Sequence, residues 1–129
     1  MKKRVYIASC LENAVLCESV GNLLRKSGFK VESSWHDTTI DLRMLEGTLS
    51  NEERKKIASD CIKEVKNSDI CLLIANKEGR GCWIELAVAW SQGKDCVIIG
   101  DRKLIPTMAY LPQIQFFDNL NEFLDSLSS

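Results

Sequence analysis

Ile70-Cys71-Leu72-Leu73-Ile74-Ala75 is an unbroken run of six apolar residues. Such a run suits a central parallel strand covered on both faces. Working outward, Cys96-Val97-Ile98-Ile99 is a second buried strand, ending at Gly100-Asp101. Val5-Tyr6-Ile7-Ala8 is a third, and Ser9-Cys10 follows it directly, so the strand ends at a loop. Phe29-Lys30-Val31-Glu32 alternates apolar and polar residues, which predicts a strand ending near Trp35. Ile114-Gln115-Phe116-Phe117 reads as a short last strand.

Helical patterns separate these strands. From Asn13 to Lys26 apolar residues recur at Val15, Leu16, Val20, Leu23 and Leu24, and Gly28 marks the stop. Residues 36 to 49 carry no clear period and read as a long connection. Ser50-Asn51-Glu52-Glu53 has the spacing of a capping box, opening a helix that runs to about Asn67 with Ile57, Cys61, Ile62 and Val65 on one stripe. Further helices are expected from about Cys82 to Gln92, stopped by Gly93, and from Leu120 to Leu127. Strands alternating with helices define an α/β domain. The expected architecture is a flavodoxin-like, Rossmann-like doubly wound sheet of five parallel strands, order 2-1-3-4-5, with helices on both faces. Residues 1–129 are expected to form a single domain. In that order the chain reverses direction between strands one and three, where ligands bind. The crevice there is lined by Ser9 and Cys10 on one side and by the loop from Asn76 to Cys82 on the other.

Composition narrows the function. The chain has 129 residues, 45% hydrophobic and 27% charged, which is globular. A domain of this length needs no disulfide or metal staple. A net charge of −1 gives no electrostatic case for a nucleic-acid polymer or an anionic membrane as the partner. No apolar run approaches a membrane span, and Glu12 soon follows the first strand, so a cytoplasmic protein is expected. Six cysteines occur with no C-x-x-C pair and no cysteine near the single histidine, His36. They read as thiols in a reducing compartment, with no metal site. No glycine-rich dinucleotide fingerprint follows the first strand and no P-loop occurs, which disfavours a dinucleotide dehydrogenase or a nucleoside triphosphatase.

Glu85 is the most unusual residue. In Trp83-Ile84-Glu85-Leu86-Ala87-Val88-Ala89-Trp90 every other side chain is apolar. A carboxylate there is costly unless it is solvated, paired or used. Its expected place is the first turn of a helix that opens at the crevice after Gly79-Arg80-Gly81, where the dipole favours an anion. An ionised carboxylate in an apolar pocket is a competent nucleophile for a sugar carbon developing positive charge. The plainer alternative is an N3 glutamate completing a cap. Tyr6 is either a core aromatic or a phenol that orients Glu85. Asp60 is either a solvated helix carboxylate or a ligand contact and proton donor. Trp35 is a core residue or a stacking platform, Arg80 a loop charge or a phosphate contact, and Cys82 a thiol at a helix start. Asp69 reads as structural, closing the turn before the strand.

Taken together these segments resemble the nucleoside 2-deoxyribosyltransferase superfamily, which includes deoxynucleoside 5′-monophosphate N-glycosidases. The resemblance spans nearly the whole chain. It begins with Val5-Tyr6-Ile7-Ala8-Ser9 and continues through Gly28-Phe29-Lys30-Val31, Ser34-Trp35, Ala58-Ser59-Asp60-Cys61-Ile62 and Asn67-Ser68-Asp69-Ile70. It is strongest from Gly79 to Ala89, then in Gln92-Gly93-Lys94 and Val97-Ile98-Ile99-Gly100. The resemblance implies that Glu85 attacks the anomeric carbon of a (deoxy)ribosyl group and displaces the base, leaving a covalent glycosyl-enzyme. Tyr6 would orient Glu85, and Asp60 would touch the base or supply the leaving-group proton. Ser9, Cys10, Trp35, Gly79, Arg80, Gly81 and Cys82 would surround a small-molecule nucleoside or nucleotide. It also implies a homodimer or higher homo-oligomer and no cofactor. Cys82-Trp83-Ile84-Glu85 is similar, too, to the glutamate motif of Toll/interleukin-receptor-like domains that cleave nicotinamide from NAD. A non-catalytic protein binding a nucleotide-derived ligand in the same crevice is the third reading.

Overall fold

The computed structural model of the chain describes residues 2–37 and 41–127. Strands β1 (Arg4–Ala8), β2 (Lys30–Val31), β3 (Ile70–Ile74), β4 (Asp95–Ile99) and β5 (Gln115–Phe117) form one all-parallel sheet in the order β2-β1-β3-β4-β5. The helices are α1 (Ala14–Lys26), α2 (Leu42–Glu46), α3 (Asn51–Lys66), α4 (Gly81–Ser91) and α5 (Leu120–Ser126). This is the doubly wound arrangement expected from the alternation of patterns.

Strand alternation sorts the core into two layers. Val5 and Ile7 of β1 pack with Cys17, Val20 and Leu24 of α1 and Phe123 of α5. Tyr6 and Ala8 point the other way, to Val65 of α3 and Cys82, Leu86 and Ala89 of α4. The period of two along a strand therefore delivers Tyr6 to the α4 side. The Ser50 capping box is present, with Glu53 N–H on Ser50 Oγ (3.1 Å) and Ser50 N–H on Glu53 Oε1 (3.0 Å). Asp69 closes its turn by accepting from Arg4, both from the backbone N–H (2.8 Å) and from the guanidinium.

Several expectations need correction. The buried stripe of α1 is Ala14, Cys17, Val20, Gly21 and Leu24; Val15 is 82% exposed, and Leu16 and Leu23 are also exposed. The 3.6-residue period puts positions 14, 17, 20, 21 and 24 on one face, which turns Val15, Leu16 and Leu23 away from it. The second strand does not reach Trp35: it spans Lys30–Val31, and the chain leaves the sheet after Glu32 donates to the Val5 carbonyl (2.8 Å). The long connection expected over 36–49 holds a short helix, α2, capped by Asp41 (Arg43 N–H to Oδ1, 3.0 Å) and ended by Gly47 at φ 72°. Residues 38–40 of that connection lie outside the described residues. Among the described residues no helix is long and apolar enough to cross a membrane.

Candidate active site

The loops after β1 and β3 meet where the strand order reverses, and one asparagine ties them together. Asn76 stands directly after the apolar strand. Its Oδ1 accepts from Gly79 N–H (2.6 Å), and its Nδ2 donates to the Ile74 carbonyl (2.9 Å) and Ser9 Oγ (3.3 Å). Ser9 Oγ in turn donates to the Ile74 carbonyl (3.0 Å) and accepts from Asn13 Nδ2 (3.0 Å). Gly79 comes so close to the first loop that a Cβ there would lie 2.7 Å from Asn76 Oδ1 and 3.1 Å from Cys10 Cα. The glycine is thus required by the approach of two backbones.

Beside this junction is a cavity of about 350 Å³. Ser9, Cys10, Trp35, Gly79, Arg80, Gly81, Cys82 and Glu85 all line it. Leu11, Glu12, Met44, Cys61 and Glu78 complete the lining. Glu85 is the fifth residue of α4, past the first turn expected for it, and Arg80 at the N-cap makes no side-chain capping bond. The helix starts earlier than its apolar pattern suggested because Gly81 joins it. Glu85 therefore does not complete an N3 cap; its carboxylate receives a hydrogen bond from the buried Tyr6 hydroxyl.

This pair sets the electrostatics. Burial raises the Glu85 pKa to about 7, opposed by the Tyr6 hydrogen bond, which favours the ionised form. Burial pushes the Tyr6 phenol well above its ordinary value, and the Glu85 charge adds to that, so Tyr6 is a permanent donor. Burial likewise pushes the Cys82 and Cys61 thiols up to about 11. At neutral pH both are thiols, and the activated thiolate weighed for Cys82 does not form.

Asp60 is not brought to the cavity. Its side chain is 57% exposed and accepts from Lys56 Nζ at 2.8 Å, one turn back on α3. Its neighbour Cys61, half-buried and one turn before the buried Val65 on α3, lines the cavity instead. Sequence reasoning did not single out Cys61 or Met44, and it took Asn76 only as the start of the loop that lines the crevice. Asn76 had a readable signal, an asparagine three residues before a glycine in a turn. Met44 had none, since it sits on the unforeseen α2. Among the described residues no group of three or more His, Cys, Asp or Glu is placed to hold a metal ion.

No protein-family model matches the chain, and no curated protein matches it. Solved structures do. The fold is similar to that of a 2-deoxyribosyltransferase from Bacillus psychrosaccharolyticus, with a TM-score of 0.71 and 20% identity over 95% of this chain and 90% of that one. It is also similar to a CMP N-glycosidase from Clostridium botulinum, with a TM-score of 0.60 and 17% identity over 98% of each chain. At these identities the likeness is one of fold, and at that level it agrees with the resemblance drawn from the sequence.

Proposed function

We propose that this protein cleaves or transfers the N-glycosidic bond of a nucleoside or nucleoside 5′-monophosphate, with residues 1–129 acting as one catalytic domain. The observation that carries the reading is the Tyr6–Glu85 pair: a half-buried carboxylate in a cavity at the strand-order reversal, held by a phenol that stays protonated. The two structural neighbours, whose names specify deoxyribosyl transfer and CMP glycosidic cleavage, support the reaction class.

The steps follow from the geometry. Tyr6 holds one oxygen of the Glu85 carboxylate, Oε2, through its hydrogen bond. The other oxygen attacks the anomeric carbon as the carbon–nitrogen bond breaks, and the base leaves with the bonding electrons and takes a proton. Water or a second base then attacks the same carbon, and the bond to Glu85 breaks to restore the carboxylate. Asp60, tied to Lys56 away from the cavity, takes no part in this scheme; the proton for the leaving base comes through the open cleft. Trp35 and Met44 offer an apolar wall for the base, while Gly79, Arg80 and Gly81 border the sugar. A homo-oligomer belongs to the same proposal, supported by Ile84, 62% exposed on α4.

Chromatography of a nucleoside, nucleotide and NAD panel tests the reading. Free base is expected from a nucleoside or its monophosphate, and none from the Glu85→Gln protein. Nicotinamide released from NAD alone would move the activity to the NAD-cleaving class. Ligand binding with a thermal shift and no turnover would make the cavity a non-catalytic site.

A further inference from the structure

One buried titratable group has no part in that mechanism. His36 is 3% exposed, and both ring nitrogens are engaged: Nδ1 with Glu18 Oε2 (2.8 Å) and Nε2 with Ser33 Oγ (2.7 Å). Its setting is the place where β2 leaves the sheet. Continued pairing beyond Glu32 would have put backbone partners on the Ile7 N–H and C=O. Side chains of the departing segment do this instead: Ile7 N–H donates to Ser33 Oγ (3.0 Å), and Trp35 Nε1–H donates to the Ile7 carbonyl (2.7 Å).

Ser33 Oγ accepts from Ile7 N–H and is hydrogen-bonded to His36 Nε2. His36 Nδ1–H donates to Glu18, which Arg25 Nη1 also contacts (3.3 Å). Every polar side-chain atom of the relay has a hydrogen-bond partner. The order serine–histidine–glutamate is that of a hydrolase triad, but Ser33 is buried and its oxygen already accepts from a backbone N–H, so it has no path to a substrate. The end of the relay is structural: it fastens the turn at residues 33–37 to β1, one residue after Tyr6. Trp35, carried by that turn, stands edge-on to the His36 ring (centroids 5.2 Å, 87°) and lines the cavity.

We propose that His36 is a positioning residue for substrate binding: through Ser33 and Ile7 it holds Trp35 as a preformed wall for the base. The proposal rests on the glycosidic reading for its kinetic arm only. Fixing an aromatic wall before binding removes the ordering cost that the substrate would otherwise meet. Ile7 points to the α1 face and Tyr6 to the α4 face, so loosening the relay leaves the Tyr6–Glu85 pair in place.

The test combines steady-state kinetics with NMR exchange of the Trp35 indole N–H. A glutamine at position 36 reaches one of the two partners but not both. His36→Gln is expected to raise KM about tenfold, the effect of losing roughly one charge-assisted hydrogen bond, with kcat within about twofold. The indole N–H exchanges at least about tenfold faster. In a Trp35→Ala background His36→Gln adds no further rise in KM, because the wall it positions is gone. A general structural defect would instead lower kcat and add to Trp35→Ala. Glu18→Gln, nearly isosteric and at the outer end of the relay, is expected to shift KM and indole exchange in the same direction, and it decides the matter if His36→Gln does not fold. Wild-type KM and wild-type indole protection in a folded relay variant overturn the proposal, as does additivity with Trp35→Ala. If the wild-type protein releases no base, the glycosidic reading fails by itself, and indole exchange still determines whether the relay fixes Trp35.

Discussion

At the scale of single residues, the proposed chemistry depends on a phenol and a carboxylate that oppose one another in effect. Burial pushes Glu85 toward its neutral form, and Tyr6 pulls it back by donating to the charged one. In the proposed mechanism the attacking carboxylate must be ionised, so kcat/KM is expected to rise with pH through an acid limb near 7. Tyr6→Phe removes the donor. The Glu85 pKa then climbs further, and the acid limb moves up by about one to two pH units. At pH 7 the variant is expected to lose about 10- to 100-fold in kcat/KM, and to recover part of it at pH 9. A pH–rate profile checks both the shift and its sign; a limb that stays in place would mean that the phenol does not tune the carboxylate.

Elements hold this pair, and here the sequence was informative to an uneven degree. The apolar runs at 5–8, 70–75 and 96–99 had one sensible reading, because a strand covered on both faces can be little else. The Ser50 cap and the glycine stops behaved as their local chemistry dictates. The end of β2 was illegible because side chains, Ser33 and Trp35, take over the ladder, and no alternation of apolar and polar residues records that. The outward turn of Val15 and Leu23 on α1 was hidden because apolar residues stand on two faces of the helix, and the buried one runs through Ala14, Cys17, Val20, Gly21 and Leu24. Glu85 stood out because a lone carboxylate among apolar residues is rare, and Tyr6 followed from topology. Asp60 did not, since a carboxylate on a helix can face either way and Lys56, four residues back, offers it a partner in solvent. At this scale the loop junction makes its own prediction. Gly79→Ala forces Asn76 or the Cys10 backbone to move, and is expected to cost about 1–3 kcal/mol of stability and about tenfold or more in kcat/KM. Thermal melts and base-release kinetics read the two effects; a variant unchanged in both would show that the loops adapt freely.

For the whole molecule, stability and activity are expected to prefer different pH. Glu85 binds its proton more tightly folded than unfolded, so its contribution is greatest below about 4.5 and is lost as pH rises through about 7. Glu18, Asp41, Glu53 and Asp69 lie below their ordinary values through hydrogen bonds to His36, Arg43, the Ser50 backbone and Arg4 respectively, so what they add is lost as pH falls below 4. The thiols of Cys61, Cys82 and Cys96, each pushed up by burial to about 11, weaken the fold above pH 9. Maximum stability is therefore expected near pH 5, below the acid limb of activity. Moving Glu85 from 4.5 to about 7 corresponds to at most about 3 kcal/mol at alkaline pH. Glu85→Gln is expected to recover much of that at pH 8 and little at pH 4. Denaturant unfolding of both proteins across this range measures it, and a Glu85→Gln protein less stable than wild type at pH 8 would contradict the assigned burial cost.

The central claim is that Glu85 forms a bond to the sugar. Rapid acid quenching during turnover, followed by mass spectrometry of the peptide containing residue 85, addresses it directly. The account predicts a mass increment of one (deoxy)ribosyl unit, carried on Glu85 and absent from Glu85→Gln. Base released at an undiminished rate by Glu85→Gln, with no sugar attached to either protein, would contradict it.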